Sequence, residues 1–137
     1  MKEALFVLIF VLTASAMMAS AQVSPAKASA AYAEVLLRKT EVFADAEALA
    51  PEHNEDSPRM LDLRYEAAGL DRYLLKLLAS PDGSKLTAAL GKLIVKRMAL
   101  DTELNKLSRT VNAAQPDYKR AKRRLDIFDA AIKEILS

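Results

Sequence analysis

The chain of 137 residues contains no cysteine and no tryptophan, only three glycines and a single histidine, His53. Without cysteine it has no thiol nucleophile, no disulfide and no lipid-modified cysteine, so packing alone must hold an exported form together. A glycine-rich phosphate loop is absent from the sequence, and a Ser-His-Asp set would have to recruit His53 from a loop. No acid lies on an apolar helix face. We therefore predict that the protein is not an enzyme, has no catalytic residues and needs no cofactor.

Alanine, leucine, lysine, glutamate and arginine dominate instead, and these residues favour helix. Apolar residues recur at alternating steps of three and four in four stretches, which is the spacing of an amphipathic helix. Pro51, Pro58, Pro116 and the turn at residues 80–83 separate the stretches. The predicted helices cover residues 26–50, 58–79, 84–111 and 116–136, with Ser57 and Ser84 as the N-cap residues of the second and third helices. Their short connections predict an all-α antiparallel four-helix bundle, a single domain over residues 22–137.

The third of these stretches is the one around which we expect the other helices to pack. It carries an apolar seam formed by Leu86, Leu90, Leu93, Leu100, Leu104, Leu107 and Val111, and widened by Ile94, Val95 and Met98. The width of this stripe predicts more than one partner helix. At 1.5 Å per residue the helix would be about 40 Å long. That length favours, as an alternative, an extended hairpin that completes its core as a homo-oligomer through this seam.

One cation, Arg97, interrupts the seam of the third helix. We expect its side chain to snorkel to the surface, because the long apolar stem of arginine can cover core residues while the charge stays in water. An ion pair with Asp101, four residues on, is one alternative. A polar contact that fixes the register of an oligomer is the other.

Residues 1–21 have the pattern of a secretory signal peptide. Lys2 gives a short positive start, an apolar run follows, and the small residues at 19–21 predict cleavage before Gln22. The alternative is an uncleaved membrane anchor, because the uncharged stretch 4–21 approaches the length that crosses a bilayer. Either form places the remaining chain outside the cytosol. We therefore predict an exported protein, periplasmic or extracellular, with membrane contact only through an uncleaved segment.

Five cations occupy a run of six positions in the last predicted helix and point away from its apolar seam. They are Lys119, Arg120, Lys122, Arg123 and Arg124. Like charges four residues apart repel each other, so a sequence that keeps them indicates a face that holds an anion. We predict an anionic polymer, a lipid headgroup or an acidic protein as the partner. Nucleic acid is not a predicted partner, because no aromatic residue interleaves with the run to stack on bases.

The alternative is that this run is a solvated helix face, partly neutralised by the neighbouring helices. Residues 22–80 carry seven Lys and Arg against ten Asp and Glu, whereas residues 81–137 carry twelve against seven. The first two helices are therefore acidic and the last two basic, which favours their docking on each other.

Two weaker features are the acidic loop at residues 52–56 and the tyrosines. The loop combines His53 with three acids, but a metal site needs more ligands at defined spacing, so we predict a polar loop and no metal. The tyrosines lie on or beside the apolar seams, and a bundle can hold a small apolar ligand between its helices. Three hypotheses follow: binding through the basic run, a structural or chaperone-like coiled-coil oligomer through the third helix, and a carrier of a small apolar ligand.

Overall fold

The structure is a computed structural model that describes residues 24–137. Its four α-helices are α1 (Ala30–Leu49), α2 (Pro58–Leu78), α3 (Ala88–Ser108) and α4 (Pro116–Leu136), with a 3-10 turn at Gly83–Lys85 before α3. Residues 24–137 contain no β-strand, so the all-α bundle is confirmed for this part of the chain. The predicted signal peptide and its cleavage site before Gln22 lie outside the described residues.

Hydroxyl side chains fix the starts of three helices. Ser29, Ser57 and Thr87 accept hydrogen bonds from backbone N–H groups three residues on, at 3.2, 3.4 and 3.2 Å. Each bond satisfies a donor that has no partner within the helix. Pro58 and Pro116 occupy first-turn positions of α2 and α4, where the missing N–H costs nothing.

The third helix is shorter than the sequence pattern predicts. Ser84 does not cap it, because the hydroxyl and the N–H of Ser84 both donate to the Asp82 carboxylate, at 2.6 and 3.0 Å. The chain then passes through the 3-10 turn, and Thr87 is the cap. As a result α3 has 21 residues, the same as α2 and α4. The excess length that suggested a dimerising hairpin is therefore absent from α3.

Consecutive helices run antiparallel, and α3 lies at the centre. For α1 with α2, residue 39 pairs with residue 71 and residue 45 with residue 59, so one number rises as the other falls. The same opposed order holds for α3 and the turn before it with α4, from the pairs 97–129 and 85–137, and for α2 with α3, from the pairs 65–101 and 62–109. α3 packs on all three other helices, whereas α4 packs chiefly on α3 and hardly touches α2.

The apolar side chains form two separate clusters. The main core joins α1, α2 and the first half of α3, and it includes Ile132 from α4. A second cluster joins only α3 and α4; its buried members are Leu100, Leu104, Ala121 and Leu125, flanked by Leu107, Tyr118 and Phe128. The predicted seam of the third helix is thus buried, and α4 covers its second half within the same chain.

The buried face of α1 agrees only in part with the predicted one. The sequence spacing predicts one apolar face formed by Tyr32, Val35, Leu36, Phe43, Ala46 and Leu49. Val35 is buried as predicted, but Leu36 and Phe43 are 42% and 61% exposed, whereas Ala31 and Val42 are buried in addition. α1 lies against both α2 and α3, and its contact face is centred on Val35, about 100° around the helix from Leu36. Many positions of α1 are alanine, so the apolar pattern alone leaves the orientation of the helix open.

Gly91 allows the closest approach of α1 and α3, and replacing it with alanine is expected to destabilise the protein. A Cβ at this position would lie 2.7 Å from Glu34 Cβ, 2.9 Å from Ala31 O and 3.0 Å from Ala31 Cα. Two of these atoms are backbone, so α1 itself must shift. Such overpacking costs up to about 3 kcal/mol, and the gain in helix propensity returns about 1 kcal/mol. We expect Gly91→Ala to lower the free energy of unfolding by about 2 kcal/mol in urea denaturation.

Gly83→Ala is the matched control. A Cβ on Gly83 would meet nothing within 4 Å, and the residue does not have a positive φ. This variant should therefore unfold at the same urea concentration as the wild type or slightly above it. Equal stability of the two variants would show that the close crossing of α1 and α3 does not limit the size of the residue at position 91.

Candidate functional site

The five cations of the run from Lys119 to Arg124 all lie on the outer side of α4. We call this surface the basic face. α4 buries Ala121, Leu125 and Ile132, which point towards α3, whereas all five cations are exposed. Because α4 packs chiefly on one helix, the opposite side remains open along the whole run. The positive end of the α4 dipole lies at the same end of the helix and adds to the potential there.

Among residues 24–137, only two cations of the basic face have acid partners. Arg120 pairs with Asp117, and Lys122 pairs with Asp126, both exposed and both on α4 itself. The hydrogen bond to Asp126 raises the pKa of Lys122. Lys119, Arg123 and Arg124 pair with no acid among residues 24–137, and no acid of α1, α2 or α3 reaches any of the five. Neutralisation by neighbouring helices, which the charge distribution suggested, is therefore not observed at these ion-pair distances.

A second polar region centres on Arg97, where α2, α3 and α4 meet. The Arg97 guanidinium donates to Asp101 Oδ2 at 2.6 Å and to Asp129 Oδ1 at 3.3 Å. The Tyr65 hydroxyl donates to the other Asp101 oxygen at 3.0 Å. The Arg97 side chain is only 19% exposed. It does not snorkel as the sequence predicted, because Asp129 on α4 supplies a second carboxylate beside the seam.

The charges of this region stabilise one another. Burial alone would lower the pKa of Arg97, but the neighbouring Tyr73, Asp101 and Asp129 raise it above its ordinary value. Burial alone would raise the pKa of Asp129, but Lys133 and Arg97 hold it below its ordinary value. Both shifts favour the charged forms of Arg97 and Asp129, and their pairing ties α4 to α3 beside the second apolar cluster.

An open groove lies next to this network, because α2 and α4 hardly touch across α3. We call it the α2–α4 groove. Its polar end has a volume of about 310 Å³ and includes Arg72, Lys76, Arg97, Met98 and Lys133 in its lining. Its apolar end has a volume of about 450 Å³ and includes Tyr73, Ile132 and Leu136. Tyr73, Lys76, Asp129 and Lys133 line both ends, so the two volumes are parts of one groove.

Two buried acids are features that the sequence pattern missed. Glu66 accepts a hydrogen bond from Arg38 Nε at 2.7 Å, and Asp62 pairs with Arg109. Both acids are buried on α2, contrary to the expectation that no acid lies on an apolar face. Asp62, Glu66 and Tyr73 share a stripe of α2 with the three-and-four spacing of a buried face, and this spacing is the signal that could have revealed them.

The loop at residues 52–56 borders a different apolar pocket. This pocket has a volume of about 320 Å³ between α1 and α2, and Phe43, Ala46, Met60 and Leu63 are among its lining residues. His53 and Glu55 lie at its edge, and Glu55 also pairs with Arg64 at 3.2 Å. Within residues 24–137 no group of three His, Cys, Asp or Glu side chains is placed to hold a metal ion.

Comparisons of the chain with protein-family models, with curated proteins and with solved structures find no match. None of the helices in residues 24–137 is long and apolar enough to span a membrane. The candidate binding surfaces of the described residues are the basic face and the α2–α4 groove.

Proposed function

We propose that this protein is an exported, non-enzymatic helical bundle that binds an anionic partner through the basic face. The partner class is an anionic envelope polymer, a lipid headgroup or an acidic protein. The observation that supports this most directly is the state of Lys119, Arg123 and Arg124, which are exposed and have no acid partner among residues 24–137. The export part of the proposal rests on the sequence of residues 1–21. N-terminal sequencing of protein recovered outside the cytosol tests it, with Gln22 expected as the first residue.

Repulsion between the cations of the basic face favours a bound anion over an unoccupied surface. Lys119 with Arg123, and Arg120 with Arg124, are like-charged pairs four residues apart, and each destabilises the helix by a few tenths of a kcal/mol. An anion bound along the face would remove this repulsion. Each cation near an anionic surface contributes about 1 kcal/mol of attraction at low salt, and the attraction weakens as salt screens it.

A salt-dependent retention experiment tests the basic face. The chain from Gln22 is passed over immobilised heparin, and compared with the triple variant Lys119→Glu, Arg123→Glu, Arg124→Glu. We expect the wild type to be retained at low ionic strength and released by high salt, and the variant to flow through with its helicity unchanged by circular dichroism. Vesicles with and without anionic lipid, used as a second probe, separate a polymer from a headgroup as the partner.

The matched control changes three other cations of the same bundle. Lys92, Lys96 and Lys106 on α3 are also exposed and also form no ion pair within residues 24–137. The variant Lys92→Glu, Lys96→Glu, Lys106→Glu therefore has the same net charge as the basic-face variant. We expect it to be retained nearly as well as the wild type. Equal loss in both variants, or no retention of the wild type, would overturn the proposal.

The coiled-coil oligomer remains a second proposal, and the fold sets a condition on it. Leu100 and Leu104 are buried against α4, so an oligomer through the seam of α3 requires α4 to move away. Light scattering on the same samples tests this directly. The mass of a single chain at working concentrations would reject the oligomer, and a stable dimer would support it.

A further inference from the structure

We infer that the α2–α4 groove binds a single-chain amphiphile with an anionic head. The head would lie at the polar end, beside Arg72, Lys76 and Lys133, and the chain at the apolar end, against Tyr73 and Ile132. The groove shares no cation with the basic face, so this inference stands independently of the proposed function.

The first observation is a surplus of positive charge at the polar end. Four cations line it, against the two carboxylates of Asp101 and Asp129. Arg97 already pairs with both carboxylates, and Lys133 Nζ lies 3.3 Å from Asp129 Oδ2. Arg72 and Lys76 form no ion pair with any residue of the described chain. An anionic group at this point would complete the charge balance that the chain itself leaves incomplete.

The second observation is that two cations lie close to the ring of Tyr73. The Lys76 ammonium lies 5.0 Å from the centroid of the ring, and the Arg97 guanidinium carbon lies 5.8 Å from it. The hydroxyl of Tyr73 has no hydrogen-bond partner among residues 24–137, and it is not sealed from solvent. Burial raises the pKa of Tyr73, so this hydroxyl is a donor at neutral pH. A carboxylate or phosphate at the polar end would accept this hydrogen bond.

The third observation is the apolar continuation of the same groove. Ile132 and Leu136 from α4, together with the ring of Tyr73, line its second part. The volumes of about 310 and 450 Å³ fall within the range of small-molecule sites. A purely polar anion would leave the apolar part uncovered, and a purely apolar ligand would leave the cations unpaired. An amphiphile satisfies both parts at once.

Isothermal titration calorimetry with dodecanoate, below its micelle concentration, tests the inference. Dodecyl phosphate distinguishes a phosphate from a carboxylate head, butyrate tests the head alone, and dodecyl maltoside tests the chain alone. We expect one molecule of dodecanoate or dodecyl phosphate per chain and no measurable heat from the other two probes. Equal affinity for dodecyl maltoside would show a merely apolar site and overturn the anionic head.

Two variants locate the site. Arg72→Gln, Lys76→Gln, Lys133→Gln should weaken binding at least about tenfold, because bonds to a charged head are removed. Tyr73→Phe keeps the ring and should weaken it by up to about tenfold. The control Lys92→Gln, Lys96→Gln, Lys106→Gln removes the same number of exposed cations and should leave the affinity within about twofold. Circular dichroism confirms that each variant remains folded.

The basic-face variant separates this inference from the proposed function. Lys119→Glu, Arg123→Glu, Arg124→Glu should bind dodecanoate as the wild type does, even where it no longer binds heparin. If the groove variant and its control bind dodecanoate equally, or if the wild type does not bind it, the groove is not an amphiphile site. Neither result would alter the outcome at the basic face.

Discussion

Replacing Arg38 with methionine is expected to lower the free energy of unfolding by about 3 kcal/mol at neutral pH. The Glu66 side chain is only 8% exposed, and Arg38 Nε donates to it at 2.7 Å. The hydrogen bond from Arg38 to Glu66 is the main reason that the pKa of Arg38 is raised, so Arg38 stays charged at neutral pH. Methionine preserves the apolar stem but leaves a buried carboxylate without a counter-charge. Breaking a buried pair from one side costs about 3–5 kcal/mol, and the partial exposure of Arg38 places this case at the lower end.

Urea denaturation of a set of variants separates the effect of breaking the buried pair from the general effect of losing a cation. The double variant Arg38→Met, Glu66→Leu removes both charges and should recover most of the lost stability. The control Arg59→Met breaks an exposed pair with Asp45, whose atoms are 3.9 Å apart, and should change stability by less than about 0.5 kcal/mol. If Arg38→Met is as mild as Arg59→Met, Glu66 is accessible to water, and its burial does not constrain α1 and α2.

The sequence predicted correctly several features whose signal lies within one helix. The Ser57-Pro58 cap, the proline at the start of α4 and the leucine spacing of α3 each act over a few residues, and the structure has all of them. The start of α3 was misplaced because Ser84 and Thr87 are both good caps. Only the competing bonds from Ser84 to Asp82 decide between them.

The helical periodicity of the sequence could not predict which charges pair across helices. Arg97 pairs with Asp129, which lies 32 residues further along the chain, and Glu66 pairs with Arg38, which lies 28 residues earlier. Helical periodicity shows which residues share a face but not which face of another helix they meet. The sequence therefore predicts that Arg97 reaches the surface and that Glu66 is not buried.

The two candidate sites differ in whether one helix or several helices supply their residues. The basic face was predicted because its cations are consecutive in the sequence, and the structure then shows that the described part of the chain leaves three of them without acids. The α2–α4 groove draws Lys76 from α2, Arg97 from α3 and Lys133 from α4, so only the packed bundle brings them together. Its apolar end was anticipated only in general terms, as a space between helices.

Leu104→Glu is expected to release the first half of α4 while the rest of the bundle stays folded. Leu104 is buried in the cluster that joins only α3 and α4, beside Leu100 and Leu125. A buried leucine contributes about 2–5 kcal/mol, and an unpaired carboxylate in its place costs more, so a loss of at least about 4 kcal/mol is expected there. The main core keeps its own contacts from α1, α2 and the first half of α3. The damage should therefore appear as local opening.

Hydrogen exchange measures this opening directly. Amides of residues 119–128 should lose at least about a hundredfold of protection, whereas amides of Leu70 and Leu77 in the main core should keep theirs. Leu75→Glu is the control, because Leu75 is 66% exposed and should tolerate a charge. Loss of protection in all four helices at once would mean that the two clusters unfold as one unit.

The consequence of that opening differs between the two surfaces. The cations of the basic face follow one another along α4, so a frayed α4 still presents them, and retention on heparin at low salt should fall only modestly. The groove takes its α4 residues from the second half of the helix, residues 129–136, which Ile132 anchors in the main core, so dodecanoate binding by Leu104→Glu should stay close to that of the wild type. The same substitution therefore opens the segment of α4 that carries the basic face but not the segment that lines the groove.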